Sequence, residues 1–263
     1  MAAVTKRPDT MRERRTALVR SCLARAALFR LLARGFAYPG PGHAAAMRQA
    51  FRDLDGPLER GVLPRRLGAR VRRARRAWRA ADDGSLGADY LRLFHGSEGM
   101  SLRETGYGDG RRLGGGPVEA ADISGFYLAF GFGLSESDPA PPDHIGAELE
   151  FTSLVLIKES YARLRGWAGR ERIAREAAKA FLEYHLGRWA GELARRVVAA
   201  GAPAPYCSLA ELTEAAVATE CGRLGARPSL ATGRVPFDPL QADSFACPME
   251  PGSPIDRAPN APA

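Results

Sequence analysis

The residues best placed to do chemistry crowd into one short segment, Pro141-Pro142-Asp143-His144-Ile145-Gly146-Ala147-Glu148-Leu149-Glu150-Phe151. Pro142 suits the first turn of a helix, where its missing N–H would have no intrahelical partner anyway. Asp143 then stands where free backbone N–H groups and the helix dipole favour a carboxylate. Three chemistries are open to such a corner. A carboxylate and an imidazole at the mouth of a hinge suit an arginine-bearing peptide, because carboxylate and guanidinium pair through two parallel hydrogen bonds. His144 and Glu148 share a helical face one turn apart, with Glu150 close by, which is the start of a metal site. The third reading is a plain helix start with ordinary ion pairing, and residue chemistry alone favours it.

Other routes to catalysis find little support. A di-iron bundle needs two Glu-x-x-His pairs and two further carboxylates; the chain has no such pair, and Glu183 and His185, two apart, point to different faces. GxSxG, the P-loop, HExxH and the kinase set are all missing. Gly106, Gly108 and Gly110, and the triplet Gly114-Gly115-Gly116, follow no strand, and a phosphate cradle needs strand, turn and helix N-terminus together. Cys22, Cys207, Cys221 and Cys247 form no CxxC pair and no disulfide framework, so they read as packing residues in a reducing compartment.

The elements that must position the corner are helical. Leu18, Cys22, Ala26, Phe29, Leu32 and Phe36 recur every three or four residues, predicting a helix from Arg12 to Phe36 capped by Thr10. Tyr38-Pro39-Gly40-Pro41-Gly42 ends it, a short helix follows from His43 to Leu54, and Gly56-Pro57 breaks again. Leu67, Val71, Ala74 and Trp78 make one apolar line through an arginine-dense helix, Leu63–Ala81, which reads as a solvated helix with a narrow buried seam. A helix carrying Tyr90, Leu93 and Phe94 comes next, then a glycine-rich loop over Gly96–Pro117 and a helix over Val118–Phe132. Beyond a connector at Ser135–Pro142, helices are expected over Asp143–Leu164, Arg170–Ala200 and Ser208–Leu224. Ser208 and Glu211 form a capping-box pattern at the start of the last one.

Composition sets the class. Of 263 residues, 45% are apolar and 26% charged, as in a soluble globular protein. The formal net charge is +8, nearly all of it arginine. A chain so rich in Ala, Arg, Gly and Pro fits a G+C-rich coding bias as well as nucleic-acid binding, and interleaved aromatics and helix-turn-helix spacing are missing. Arg14-Arg15 imitates a twin-arginine signal, but Arg20, Arg25, Arg30 and Arg34 interrupt the apolar stretch that a signal needs. No segment approaches the ~18 uncharged apolar residues of a membrane span, so the expected location is cytoplasmic. No strand periodicity and no internal repeat appear. The expected fold is all-α, a helical bundle in two parts. Residues 1–11 form a disordered N-terminus, 12–134 an N-terminal helical part, 135–142 a hinge, 143–226 a C-terminal helical part, and 227–263 a proline-rich extended tail.

Four motifs together carry a resemblance. Pro142-Asp143-His144-Ile145 with Glu148-Leu149-Glu150-Phe151 resembles the hallmark segment of the TorD/DmsD/NarJ family of molybdoenzyme chaperones. Asp122-Ile123-Ser124-Gly125-Phe126-Tyr127 with Phe130-Gly131 is similar to that family's Asp-x-x-Gly-Phe-Tyr helix, and Tyr90-Leu91-Arg92-Leu93-Phe94 with Gly96 to its Tyr-x-x-Leu-Phe helix end. Glu104-Thr105 with Tyr107-Gly108 resembles the Tyr-Glu-Thr-x-Tyr-Gly loop of the branch serving nitrate reductase and dimethylsulfide or ethylbenzene dehydrogenase-like enzymes. Order and spacing match across Tyr90–Trp189. Ser101-Leu102-Arg103 departs from the proline-proline-aromatic run common in that branch.

The resemblance implies a TorD-like bundle that is no enzyme and carries no cofactor or metal of its own. It implies a partner, the apo catalytic subunit of a molybdopterin oxidoreductase, bound through an N-terminal leader that is often of the twin-arginine type. The chaperone would assist molybdenum cofactor insertion and proofread before assembly or export, as a monomer or homodimer, without nucleic acid or stable membrane insertion. By matching positions, Asp143, His144 and Glu148 carry over as leader-peptide-binding residues, Tyr90, Leu93 and Phe94 as the apolar lining, and Glu104 as a further contact. With Glu136 and Asp138 the carboxylates would form an acidic mouth. The weighed alternatives are a metal-dependent bundle enzyme around His144, Glu148 and Glu150, and a nucleic-acid binder using Arg65–Arg79.

Overall fold

The apolar stripe of the first helix is the axis around which the chain packs. In the computed structural model, which describes residues 11–95, 99–108, 115–133 and 140–232, helix α1 (Met11–Gly35) buries Cys22, Ala26, Phe29 and Leu32. Its main partner is α7 (Ile145–Arg165), whose Ser153 hydroxyl donates to the Ala26 carbonyl at 2.8 Å. Leu18, expected on the stripe, is half exposed near the helix start. Thr10, the expected cap, lies outside the described residues.

Shorter helices build out from this pair. α2 (His43–Asp53) turns Met47 and Phe51 inward, α3 (Asp55–Glu59) is a single turn, and α4 (Arg65–Arg79) buries Leu67, Val71, Ala74 and Trp78 while its arginines face outward. α5 (Asp83–Tyr90) starts at Asp82, whose side chain accepts the Ser85 N–H, and runs on as a π-helical turn over Leu91–His95. α6 (Gly115–Ala129) brings Phe126 and Tyr127 onto Phe151 of α7, an aromatic cluster that Phe130 and Phe132 complete.

The predicted helix Arg170–Ala200 is two helices, α8 (Ala168–Tyr184) and α9 (Leu186–Ala199), bent at His185. Gly187 permits the bend: a Cβ there would lie 2.2 Å from the Leu182 carbonyl oxygen, so only glycine lets the two helices close up. Phe181, Leu182, Leu186, Trp189, Leu193 and Val197 are buried as the periodicity predicts, whereas Ile173 is exposed. α10 (Ala204–Leu224) begins before the expected Ser208, at a Pro203 cap. Ser208 sits inside the helix, bonded to the Pro205 carbonyl, and Glu211 pairs with Arg73 instead of closing a capping box.

Likewise α7 starts at Ile145, with His144 as its cap, so Asp143 precedes the helix. Most of the expected hinge and tail, residues 135–139 and 233–263, lie outside the described residues. The described start of the tail, residues 227–232, is held at two points. Ala231 is buried and donates its N–H to the Arg188 carbonyl at 2.8 Å, and Arg227 N–H bonds Glu183. Among the described residues no strand forms and no helix is long and apolar enough to cross a membrane.

A buried ion network locks α1, α7 and α10 together. Arg25 Nη1 donates to both Glu220 carboxylate oxygens, at 2.6 and 2.8 Å, and Arg223 joins Glu220 to Glu159 of α7. Arg25 and Glu220 are both almost fully buried, and a buried charge left without its partner is far more costly than the pair. Glu220→Ala is therefore expected to cost about 3–5 kcal/mol, while the double replacement Arg25→Met with Glu220→Leu restores most of it. Urea unfolding checks this; an unchanged midpoint for Glu220→Ala would remove the network from the stability argument.

Candidate functional site

Around the corner predicted to do chemistry, the loop after the π-helical turn is clipped to the start of α7. Two backbone bonds form the clip: Glu104 N–H donates to the Asp143 carbonyl and Ile145 N–H to the Leu102 carbonyl, each at 2.9 Å, with Arg103 and His144 facing each other as an antiparallel bridge. The Asp143 side chain completes it. Its carboxylate, wholly buried, accepts from Arg103 Nε at 3.0 Å and from the Thr105 hydroxyl at 2.7 Å. His144 caps α7, its Nδ1 accepting the Gly146 N–H at 3.0 Å, so the neutral ring carries its proton on Nε2.

Beneath the clip lies a layer of buried polar groups. Glu104 contacts His185 Nδ1 at 3.1 Å and Arg188 Nη1 at 3.3 Å, while His185 Nε2 lies 3.2 Å from the Asp122 carboxylate. The α8–α9 bend is what points His185 and Arg188 at the loop. Glu148 is also fully buried; Trp189 Nε1 donates to its Oε2 at 3.2 Å, and Oε1 has no hydrogen-bond partner among the described residues. Burial, followed by the nearby Glu104 carboxylate, pushes the Glu148 acid well above the ordinary glutamate range. Tyr107 seals the layer: its ring lies 5.0 Å from that of Trp189, its hydroxyl donates to the Ser101 carbonyl, and the Arg196 guanidinium covers it.

Above the clip runs an open groove of about 780 Å³ between the end of α1, the π-helical turn and the first turn of α7. Phe36, Tyr38, Tyr90, Phe94 and Phe132 supply an aromatic wall, and Leu102, Pro141 and Ala147 extend the apolar surface. Tyr90 anchors the wall, with its hydroxyl on the Phe36 carbonyl and its ring against Tyr38 and Phe94. Among the described residues the charged lining is Arg34, Arg103 and one carboxylate, Glu150.

The predicted residues therefore divide. Tyr90, Phe94 and His144 line the groove. Leu93 is buried beside it, and Asp143, Glu104 and Glu148 belong to the clip and the layer below. Of the four carboxylates expected at an acidic mouth, Asp143 and Glu148 are wholly buried, and Glu136 and Asp138 lie outside the described residues. His144, Glu148 and Glu150 do not converge, because Glu148 faces Trp189 while Glu150 is exposed at the groove, and among the described residues no three metal-ligating side chains cluster. Burial raises the thiols of Cys22, Cys207 and Cys221, the last to about 11, which suits packing rather than reactivity. Sequence reading missed Arg34, Tyr38 and Phe132, and it weighed Glu150 for a metal site and not for the groove. Tyr38, an aromatic between a helix end and Pro39, was the detectable one.

The segment that builds clip, buried layer and most of the groove is also the segment that matches known proteins. The family model described as nitrate reductase delta subunit matches residues 44–195. The chain belongs to the nitrate reductase delta subunit family. The family match runs from α2 to within α9 and leaves α1 and α10 outside it. Over 133 residues the chain is 35% identical to the selenate reductase assembly chaperone protein of Thauera selenatis, covering 50% of this chain and 68% of that relative. Over 144 residues it is 30% identical to the chlorate reductase assembly chaperone protein of Ideonella dechloratans, covering 55% and 72%. Both relatives of this delta-subunit-family chain are named for assembly of an enzyme, not for catalysis.

Two outcomes test the interior. Asp143→Ala removes the acceptor of Arg103 and Thr105 and is expected to cost about 2–3 kcal/mol, with faster amide exchange at Glu104 and Ile145; unchanged exchange there would show that the side chain does not hold the clip. For Glu148, the folded chain keeps a proton that the unfolded chain releases above the ordinary glutamate range. Its contribution is thus full at low pH and declines as pH rises toward the folded-state pKa. Unfolding free energies between about pH 4 and 8 should fall relative to Glu148→Gln as pH increases; a constant offset between the two proteins would contradict the raised acid.

Proposed function

We propose that this chain is an assembly chaperone for a molybdopterin oxidoreductase, and that its groove holds the N-terminal leader of that enzyme's apo catalytic subunit. The observation carrying the reading is the groove: an aromatic trough of about 780 Å³ whose wall is fixed by buried polar bonds. A preformed wall lowers the ordering cost of taking up a flexible peptide. Helix-in-groove and extended-segment recognition both need an apolar channel of this kind with a polar rim. The assembly roles in the names of the selenate and chlorate reductase relatives support the same reading.

The lining favours the apolar stretch of a leader over its arginines. Among the described residues Glu150 is the one acid in the lining, against Arg34 and Arg103. With a net charge of +8 the chain has no long-range attraction for a cationic leader, so association rests on apolar burial at short range. In this reading Phe94, Tyr38 and Phe132 grip the peptide, Tyr90 and Leu93 support them, and His144 with Glu150 reads the polar edge. Asp143, Glu104 and Glu148 act by shaping the wall. Holding the leader keeps the catalytic subunit available for molybdenum cofactor insertion and delays assembly or twin-arginine export in the cytoplasm; the cofactor belongs to the client.

Calorimetry with a synthetic peptide of the client's leader tests this. Phe94→Ala is expected to weaken binding about tenfold or more, whereas Glu150→Gln changes it by less than about threefold. Wild-type protein that fails to bind the leader, or Phe94→Ala that binds as well as wild type with unaltered helical content, would overturn the assignment.

A further inference from the structure

Where α2 meets α4, four guanidinium groups line one cleft. Arg48 and Arg52 stand one turn apart on α2, Arg75 and Arg79 one turn apart on α4, and the packing of the two helices brings the pairs together around about 320 Å³. Neutral acceptors hold two of them. Arg48 Nη1 donates to the Ala81 carbonyl at 3.0 Å, and Arg52 donates twice to the Gln49 amide oxygen. Arg75 pairs with Asp55. Arg79 has no acidic partner among the described residues, so one ion-paired carboxylate faces four cations there; Asp83 adds a longer-range negative field at Arg48.

Like charges converge at a cost, and here most of the guanidinium groups are oriented by uncharged oxygens or left open instead of being neutralised. That leaves a concave, positively charged site with its forks partly set in place. Guanidinium matches phosphate oxygens through paired hydrogen bonds, and two phosphate groups offer enough oxygens to engage four arginines. The volume is that of a small-ligand site, too small for a duplex. The lining contains no aromatic ring on which a base could stack.

We infer that this cleft binds a small molecule through its diphosphate group and does so without regard to the organic part attached. The site is separate from the groove, and nothing in the leader-peptide reading depends on it.

Calorimetry on the full chain at about 0.15 M salt, with ADP, GDP, inorganic pyrophosphate, AMP and a glutamate-rich peptide as probes, decides the matter. ADP and GDP should bind within about threefold of one another, with pyrophosphate competing and AMP at least about tenfold weaker. The double variant Arg52→Gln with Arg79→Gln should lose at least about tenfold in ADP affinity. Arg72→Gln with Arg76→Gln removes the same charge from the exposed face of α4 outside the cleft, and should leave ADP binding unchanged. Equal losses in the two double variants, no binding of any diphosphate, or a glutamate-rich peptide that binds as tightly as ADP would each overturn the proposal.

Discussion

A carboxylate wholly removed from water must be met by donors, and at Asp143 those donors come from a different part of the chain. Arg103 and Thr105 supply them, so burying this one side chain forces the loop to lie against the start of α7. Everything around the groove follows from that constraint. His144 is left to cap the helix, Leu102 is drawn into the groove lining, and Tyr107 is carried over Trp189. Thr105, Glu104 and Tyr107 thereby tie one short loop to the helix start, to the α8–α9 bend and to the face of α9.

Two glutamates in this region illustrate how burial separates like groups. Glu104 sits against Arg188 and His185, whereas Glu148 sits against an indole N–H and has another carboxylate nearby. Burial, followed by that carboxylate, pushes the Glu148 acid well above the ordinary glutamate range.

Much of the fold was legible because burial follows periodicity. The stripes of α1 and α4 and the apolar face of α8–α9 all appear in the residue spacing, and so does the punctuation by Tyr38–Gly42. The bend at His185 was not legible, since the apolar repeat passes through it and no proline marks it; the cause is a carbonyl approaching Gly187, a contact made only after folding. The candidate site was legible by type and half legible by role. The resemblance to the TorD/DmsD/NarJ family implied Tyr90 and Phe94 as apolar lining, and both lie at the groove. A carboxylate beside a helix start looks the same in sequence whether it meets an incoming arginine or one from its own chain, and here Arg103 occupies it. Tyr38, Phe132 and Glu150 join the groove from three separate segments, an arrangement that no local pattern records.

Arg188 has a mechanical position as well as an electrostatic one. Its carbonyl receives the Ala231 N–H, its Nε reaches the Ser229 carbonyl, and its Nη1 touches Glu104. Tension applied to the chain beyond Ala231 therefore enters the molecule through the same residue that steadies the loop. A surface or bead attached at that end would tug on the groove wall it was meant to leave undisturbed, so the choice of anchoring end bears directly on any measured affinity.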